Sequence, residues 1–376
     1  MLGLARSGKA AAAALGRRGV EVVGADRTLG NDENLALLDG IDVLVKSPGV
    51  PRQAPLVAEA ERRGVPVWSE VELGYRLLRP RLLGVTGTNG KTTTCELLGV
   101  MLGAPVAGNV GRALTELDGQ VEPEQWIVCE LSSFQLEDVH ELACEIAVLL
   151  NLEPDHLDRH GSFQAYRQAK LRIFERADTK IVPRGLGLEG IEFAAEDPLP
   201  AEPLMRGLHN RENAVAATVA ARAAGVAEER IAEALRTFPG VPHRLELVRE
   251  LNGVSYVNDS KATNVAAALR ALAAYAEEPV HLIVGGSRKG EDFAPLAAAL
   301  GPNVRSVHVI GETADELVAA IPQAQRDGDL ASALGAVKAE PGDVVLLSPA
   351  CASYDQFRDF EERGEEFRRL VQNLSA

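Results

Sequence analysis

Short apolar runs alternate with helical segments along most of the chain, and many of these runs end in a polar or glycine-rich loop. Clear examples are "LLGV", "WIVCE", "VHLIVGG" and "DVVLLS". Strands that alternate with helices in this way predict parallel sheets covered by helices. Such sheets bind ligands at the carboxyl ends of their strands, so the loops after these runs are the predicted functional positions.

Chain length and linker composition predict more than one domain. A chain of 376 residues is too long for a single hydrophobic core. We place one boundary before the strand that leads into "GTNGKTTT" and another at the proline-containing "TFPGVPHRLE". The predicted domains are therefore residues 1–79, 80–239 and 240–376.

Charge and cysteine usage narrow the function classes. The formal net charge of −15 argues against nucleic acid or an anionic membrane as the main partner. The four cysteines show no CxxC spacing, which favours a reduced compartment. No apolar run approaches the roughly 18 to 20 residues of a membrane span. We therefore expect a cytoplasmic protein.

The strongest local signal is the glycine-rich loop after "LLGV". Backbone amides at such a strand-to-helix turn form an anion cradle. The motif places Lys91 at the β- and γ-phosphates of a nucleotide and the Thr92 hydroxyl at Mg²⁺. The strict P-loop spacing needs a glycine where this chain has Val85, so the motif is a shortened relative. The loop residues are Gly87, Thr88, Asn89, Gly90, Lys91, Thr92 and Thr93.

Three further side chains are candidates, each with an ordinary structural alternative. Glu130 ends "WIVCE", where Mg²⁺ finds an oxygen ligand, although strand ends often carry a solvated glutamate. His156 lies in an acidic loop, but Mg²⁺ prefers oxygen. Asp26 follows a degenerate dinucleotide turn, "GLARSG", at the distance of a ribose-binding acid. Only Met1 and Leu2 precede this turn, so we expect either a start further upstream or a domain that lacks its first strand. A dehydrogenase built on the first or third predicted domain is disfavoured because neither contains an intact GxGxxG.

Lysine is scarce, since it accounts for eight of the 39 basic residues. Lys170 lies within "HGSFQAYRQAKLRIF", four residues from both Tyr166 and Phe174, on the helix stripe that should face inward. One interpretation is a packed stem with its ammonium in water. The other is a reactive amine, which arginine cannot replace. The pattern alone favours neither.

The chain resembles the Mur ligase family over essentially its whole length. The resemblance rests on motifs in the family's order, among them "GTNGKTTT", "ELSSFQLE", "NLEPDHLDRHGSFQAYRQAK", "NDSKATN" and "SPACASYDQF". It implies three α/β domains: a Rossmann-like UDP-binding domain, a central P-loop ATPase-type domain with a parallel sheet, and a Rossmann-like carboxyl-terminal domain. It also implies an ATP-dependent ligase that forms an acyl phosphate. The last motif points to the branch that adds D-glutamate to UDP-N-acetylmuramoyl-L-alanine.

The resemblance assigns roles position by position. The implied catalytic residues are Lys91, Glu130, His156 and Lys170, the last as a carbamate formed with CO₂. Two Mg²⁺ ions are implied, with ligands Thr92, Glu130, His156 and Lys170. The implied ATP contacts, besides the glycine-rich loop, are Asn210, Arg244 and Asp259. The implied UDP-substrate contacts are Asp26, Asn109 and Ser132. The implied D-glutamate contacts are Lys261, Thr263, Lys289, Ser353, Tyr354 and Phe360.

Two other functions remain open at this point. Another ligase of the family, including the folylpolyglutamate type, shares the phosphate loop and "NDSKATN". A P-loop switch that acts through a partner would leave the lysines of the third domain unexplained. We expect a monomer. Uridine recognition is the least supported role, because Ala5 and Arg27 depart from the family pattern, and the segment Arg184–Arg206 is short.

Overall fold

The computed structural model describes residues 1–122, 124–288, 290 and 292–375, which form two compact units. The first unit comprises Met1–Pro203 and His209–Thr237. The second comprises Leu204–Leu208 and the chain from Phe238 onward. Largely parallel sheets with intervening helices build both units, which confirms the predicted α/β class. The boundaries of the three predicted domains stay a prediction.

A small parallel sheet lies near the start of the first unit. Its strands are β1 (Leu44–Lys46) and β2 (Val67–Ser69), and its helices are α1 (Arg6–Arg17), α2 (Pro55–Arg63) and α3 (Glu70–Leu78). Leu2 forms single parallel bridges to Ala25 and Lys46. Leu2 thus lies where the sequence analysis expected a strand to be missing, and it pairs there through single bridges.

A six-stranded sheet, parallel throughout, forms the rest of the first unit. Its strands are β3 (Arg81–Thr86), β4 (Val106–Gly108), β5 (Trp126–Glu130), β6 (Cys144–Leu149), β7 (Ala177–Pro183) and β8 (Ile191–Phe193). Its helices are α4 (Lys91–Leu102), α5 (Ser133–Leu136), α6 (Leu157–His160), α7 (Phe163–Leu171), α8 (Leu208–Ala223) and α9 (Glu228–Thr237). The order β4-β5-β3-β6-β7-β8 places the ends of β5, β3 and β6 side by side, so three predicted functional loops meet.

The second unit has its own six-stranded sheet. Its strands are β9 (Glu246–Leu251), β10 (Val254–Asn258), β11 (Val280–Gly285), β12 (Val304–Ile310), β13 (Gln325–Gly328) and β14 (Val344–Leu347). Its helices are α10 (Val265–Ala273), α11 (Ala294–Ala298), α12 (Ala314–Ala320), α13 (Leu330–Ala336) and α14 (Phe360–Gln372). The order is β13-β12-β11-β14-β10-β9, and only β9 is antiparallel to its neighbour. The loops after β10, β14 and β11 are therefore adjacent.

The strands of the second unit are covered on both faces. Leu282 and Val284 of β11 pack in one core cluster, and Ile283 between them packs in another. This two-residue alternation is expected for a strand buried on both sides. Across the described part of the chain, no helix is both long and apolar enough to cross a membrane.

Buried charges join the small sheet to the six-stranded sheet. Lys46, at the end of β1, is 1% exposed, and its Nζ lies 2.8 Å from Asp138 Oδ2. Glu72 on α3 accepts hydrogen bonds from the backbone N–H groups of residues 140, 141 and 142, each at 2.9 Å. A buried charge is tolerated only with such partners. These contacts fix the small sheet against residues 138–142.

The change Lys46→Met should lower the free energy of unfolding of the first unit by about 3–5 kcal/mol, because it leaves Asp138 as an uncompensated buried charge. Adding Asp138→Leu should recover most of the loss. Both tryptophans, Trp68 and Trp126, belong to the first unit, so urea unfolding followed by tryptophan fluorescence measures it.

The control is Arg52→Gln, which breaks an exposed ion pair with Glu61 and should change the unfolding free energy little. An equally small effect of Lys46→Met would contradict the role assigned to the buried pair.

Candidate active site

The glycine-rich loop connects β3 to α4, as predicted. Gly90 precedes the helix with a positive φ of 83°, and a Cβ atom there would lie 2.1 Å from Asn213 Oδ1, so this position requires glycine. Lys91 Nζ donates hydrogen bonds to the carbonyl oxygens of Gly87 and Thr88, each at 2.9 Å. The loop thus holds its lysine at the turn that the sequence identifies as phosphate-binding.

Residues after β6 and on α7 hold this loop in place. The Asn89 backbone N–H donates to Asn151 Oδ1 at 2.8 Å, and its side-chain amide donates to Glu153 Oε2 at 2.9 Å. The hydroxyls of Thr88 and Tyr166 lie 2.9 Å apart. The sequence analysis did not single out Asn151, Glu153 or Tyr166 as site residues. The signal that the sequence offers is that Asn151 and Glu153 follow β6, a strand that pairs with β3.

Lys170 is buried at the same loop. Its side chain is 2% exposed, and Nζ donates to the Gly87 carbonyl at 2.7 Å. Burial, and then the charge of Lys91, lowers the pKa of Lys170 to about 7. Much of the amine is therefore neutral near pH 7. A packed stem with its ammonium in water does not describe this residue. The helix ends at Leu171, so Phe174 lies beyond it in a short 3₁₀ turn.

Glu130 ends β5, next to the strand that carries the glycine-rich loop, and is 2% exposed. Asn109 donates from Nδ2 to Glu130 Oε1 at 3.0 Å, which orients the carboxylate. Ser132 instead caps α5, because its Oγ accepts from the Gln135 backbone N–H at 3.3 Å. Asn109 and Glu130 are therefore in contact, whereas the Ser132 hydroxyl hydrogen-bonds within its own helical turn.

His156 has a left-handed backbone, with φ of 50°, immediately before α6, and its side chain is half exposed. Its Nε2 lies 3.5 Å from Asp155 Oδ2, and its ring centroid lies 5.0 Å from that of Phe134. Among the residues that the structure describes, no three or more His, Cys, Asp and Glu side chains form a group able to hold a metal ion. The predicted magnesium ligands are of another kind, since they include the Thr92 hydroxyl and a carbamate on Lys170, and they stay a prediction.

A cavity of about 460 Å³ lies at the carboxyl end of the small sheet. Asp26 lines it, and its Oδ2 accepts a hydrogen bond from the Leu4 backbone N–H at 2.6 Å, while its Oδ1 accepts from Thr28. These bonds, the Leu4 bond foremost, lower the pKa of Asp26 to about 2. Asp26 is therefore an anion at neutral pH. The loop residues 49–51 form another part of the cavity wall.

In the second unit, predicted ligand-contacting residues lie on the loops after β10 and β14. Asp259 Oδ2 accepts a hydrogen bond from Ser348 Oγ at 2.8 Å, and burial raises the pKa of Asp259 to about 7. Lys261 Nζ lies 5.5 Å from the centroid of the Phe360 ring, within cation–π range. The structure thus brings together two of the predicted D-glutamate contacts.

The other predicted residues are distributed over both units. Three are buried on α4 or α8 of the first unit: Thr92, Thr93 and Asn210. Four lie in loops of the second unit: Arg244, Thr263, the buried Ser353 and the 71% exposed Tyr354. Lys289 lies outside the described residues.

Arg363, which the sequence analysis did not single out, joins the loops after β10 and β14. Its buried guanidinium donates from Nη2 to the carbonyls of Ser260 at 2.8 Å and Cys351 at 3.1 Å, and from Nη1 to that of Ala352 at 3.2 Å. Burial lowers the pKa of Arg363 to about 10. No signal in the sequence marks it, since arginine is the commoner basic residue in this chain.

Two family models match the chain: the Mur ligase middle domain over residues 85–184 and the "Mur ligase, glutamate ligase domain" over residues 243–351. A UDP-N-acetylmuramoylalanine–D-glutamate ligase from Anaeromyxobacter dehalogenans is 42% identical over 445 residues, which covers 99% of this chain and 96% of the relative. The ligase of the same name from Geobacillus kaustophilus is 38% identical, with 100% and 97% covered. These alignments are longer than this chain, so the relatives carry segments that it lacks.

Solved structures of low sequence identity share the fold. A UDP-N-acetylmuramate-alanine ligase from Thermotoga maritima gives a TM-score of 0.64 at 20% identity, covering 99% of this chain and 98% of that one. A folylpolyglutamate synthase from the same organism gives 0.60 at 14% identity, covering 81% and 91%. The relatives near 40% identity carry more weight, because they combine about twice that sequence identity with a match from end to end. The chain belongs to the Mur ligase family.

Proposed function

We propose that this chain is an ATP-dependent ligase that joins D-glutamate to UDP-N-acetylmuramoyl-L-alanine in peptidoglycan synthesis. The observation that carries the proposal is the match, at 42% identity over nearly the whole chain, to an enzyme named for this reaction. The glycine-rich loop, with two lysines donating to it, supports the use of ATP.

The chemistry converts a poor acyl donor into a reactive one. Transfer of the γ-phosphoryl group to an oxygen of the alanyl carboxylate gives an acyl phosphate. The D-glutamate amine then attacks the carbonyl carbon and loses a proton, and phosphate leaves. Lys91 and the amide groups at the start of α4 offset the charge that builds up as the carboxylate approaches the triphosphate.

The residues around the loop fit Mg²⁺, which prefers oxygen ligands. Thr92 and Glu130 supply a hydroxyl and a carboxylate on adjacent elements, and Asn109 orients the carboxylate. The neutral amine of Lys170 would add to CO₂ and lose a proton, which would yield a carbamate as a further oxygen ligand. His156 is the fourth proposed ligand. Bound Mg²⁺ would neutralise phosphate charge during transfer.

The second unit supplies the groups proposed for D-glutamate. Lys261, together with Lys289, would pair with its γ-carboxylate, and Ser353 and the Tyr354 amide would add hydrogen bonds. Arg363 joins the loops that carry Lys261 and Ser353, because it donates to carbonyls of both.

The 460 Å³ cavity is proposed to take the uridine diphosphate end of the substrate, with Asp26 in its wall. Asn109 and Ser132 would lie toward the muramoyl-alanine end. Since ATP and a UDP-linked precursor are cytoplasmic metabolites, we place the reaction there. A monomer stays the predicted state.

Phosphate release tests the proposal directly. The protein is given ATP, Mg²⁺ and UDP-N-acetylmuramoyl-L-alanine, with D-glutamate, L-glutamate, L-lysine or no amino acid. We expect release that depends on D-glutamate. Dependence on a different amino acid would reassign the acceptor within the family, and no release from folded, ATP-binding protein would overturn the proposed function.

Lys91→Met should lower the D-glutamate-dependent rate by at least about 100-fold, because one positioned charge at the transferring phosphoryl group is lost. Thermal unfolding should change little, since Lys91 is partly exposed and its bonds are made to loop carbonyls. The matched control is Lys180→Met on β7 of the same sheet, which should keep full activity. Equal rates in the two variants would contradict the assignment of Lys91.

Lys170 should give a carbamate signal in ¹³C NMR when the protein is equilibrated with ¹³C-bicarbonate. Only the neutral amine reacts, and its pKa is lowered to about 7, so the signal should be strong at pH 8 and weak at pH 6. Lys170→Arg should abolish it, and Lys180→Arg should not. A signal that survives Lys170→Arg would show that another amine is modified.

A further inference from the structure

Arg159 ties the wall of the 460 Å³ cavity to the turn that carries His156. It lies on α6, and its Nη2 donates to the carbonyl oxygens of Pro48 at 2.6 Å and Val50 at 2.8 Å. Both carbonyls belong to the loop after β1, and Val50 itself lines the cavity. Hydrogen bonds from a charged guanidinium are stronger than neutral ones. A residue on α6 therefore holds the loop that forms one wall of a cavity built on the small sheet.

The same guanidinium lies on the aromatic ring of Phe134, a residue of α5. Arg159 Cζ is 3.8 Å from the centroid of the Phe134 ring, a close cation–π contact. That ring also stacks on His160, with centroids 5.1 Å apart, and lies 5.0 Å from the ring of His156. One ring thus contacts three side chains of a single helical turn.

The turn itself is closed by backbone bonds. The carbonyl of His156 accepts from the N–H groups of Arg159 at 3.1 Å and His160 at 3.0 Å. His160 is further held by Glu137, 3.0 Å from Nδ1, and by Ser133, 2.9 Å from Nε2. A displacement of Arg159 therefore displaces the backbone of His156.

We propose that Arg159 is a positioning residue. It couples the position of the turn that carries His156 to the position of the cavity wall. This rests on the proposed function, in which the cavity holds the uridine diphosphate end of the substrate and His156 lies near the reacting end. Arg159 thereby fixes the distance between the protein groups that would contact these two ends of the substrate. Lysine replaces it poorly, because the shorter side chain has no planar group that lies on the Phe134 ring while a nitrogen beyond that ring reaches both carbonyls.

The test compares Arg159→Lys with Arg172→Lys. Arg172 is a matched control, since its guanidinium also donates to two backbone carbonyls of the first unit, those of Glu137 and Val139. Arg159→Lys should raise KM for the UDP-substrate and lower kcat, each about tenfold, with KM for ATP unchanged. Arg172→Lys should lower the thermal midpoint to a similar extent and leave both constants within about twofold.

Phe134→Leu separates the two contacts of Arg159. It removes the ring and keeps the bonds to the loop after β1, so it should lower kcat and leave KM for the UDP-substrate near the wild-type value. If Arg159→Lys alters only the thermal midpoint, as Arg172→Lys does, the role is structural and the proposal is overturned.

A direct binding measurement distinguishes failure of the proposed function from failure of the role assigned to Arg159. If the wild-type protein shows no D-glutamate-dependent phosphate release, titration calorimetry with UDP-N-acetylmuramoyl-L-alanine decides. A roughly tenfold weaker Kd for Arg159→Lys than for Arg172→Lys supports the positioning of the cavity wall. Equal affinity, or no binding to the wild type, overturns it.

Discussion

The amine of Lys170, buried against the glycine-rich loop, is the constraint on which the first unit's site depends. Lys170 and Lys91 both donate to the carbonyl of Gly87, so two like charges share one acceptor. Their repulsion adds to the cost of burial, and the pKa of Lys170 falls to about 7. The site therefore holds one lysine that donates to the loop and a second whose amine loses its proton near neutral pH. In the proposed chemistry, the loss of that proton makes carbamate formation on Lys170 possible.

Polar contacts extend this arrangement to the small sheet. Lys46 with Asp138, Glu72 with the backbone of residues 140–142, and Arg159 with the loop after β1 all cross from one sheet to the other. Each is a charged group that is buried or partly buried, and each is satisfied by several partners. A buried charged group with few alternative partners favours one packing arrangement, because any shifted arrangement leaves its charge unpaired. The loop after β1, which forms part of the cavity wall, is thereby held against α6.

The features that the sequence could predict are those set by local pattern. Alternating strands and helices predicted the α/β class, and the glycine-rich loop, the inward face of Lys170 and the strand-end position of Glu130 follow from spacing along one element. The helix end at Leu171 was missed because helical periodicity continues into the following 3₁₀ turn. Arg363 was missed for another reason. Its partners lie about ten and a hundred residues away in the chain, and only the tertiary fold brings them together.

In the proposed reaction, the acyl carbon of the UDP-substrate passes through an acyl phosphate. The most direct measurement follows oxygen. UDP-N-acetylmuramoyl-L-alanine labelled with ¹⁸O in both carboxylate oxygens is turned over with ATP and D-glutamate, and the released phosphate is analysed by mass spectrometry. The account predicts one ¹⁸O atom in each phosphate, because the phosphorylated oxygen leaves with it. Unlabelled phosphate, formed at the same rate as the amide product, would contradict the claim.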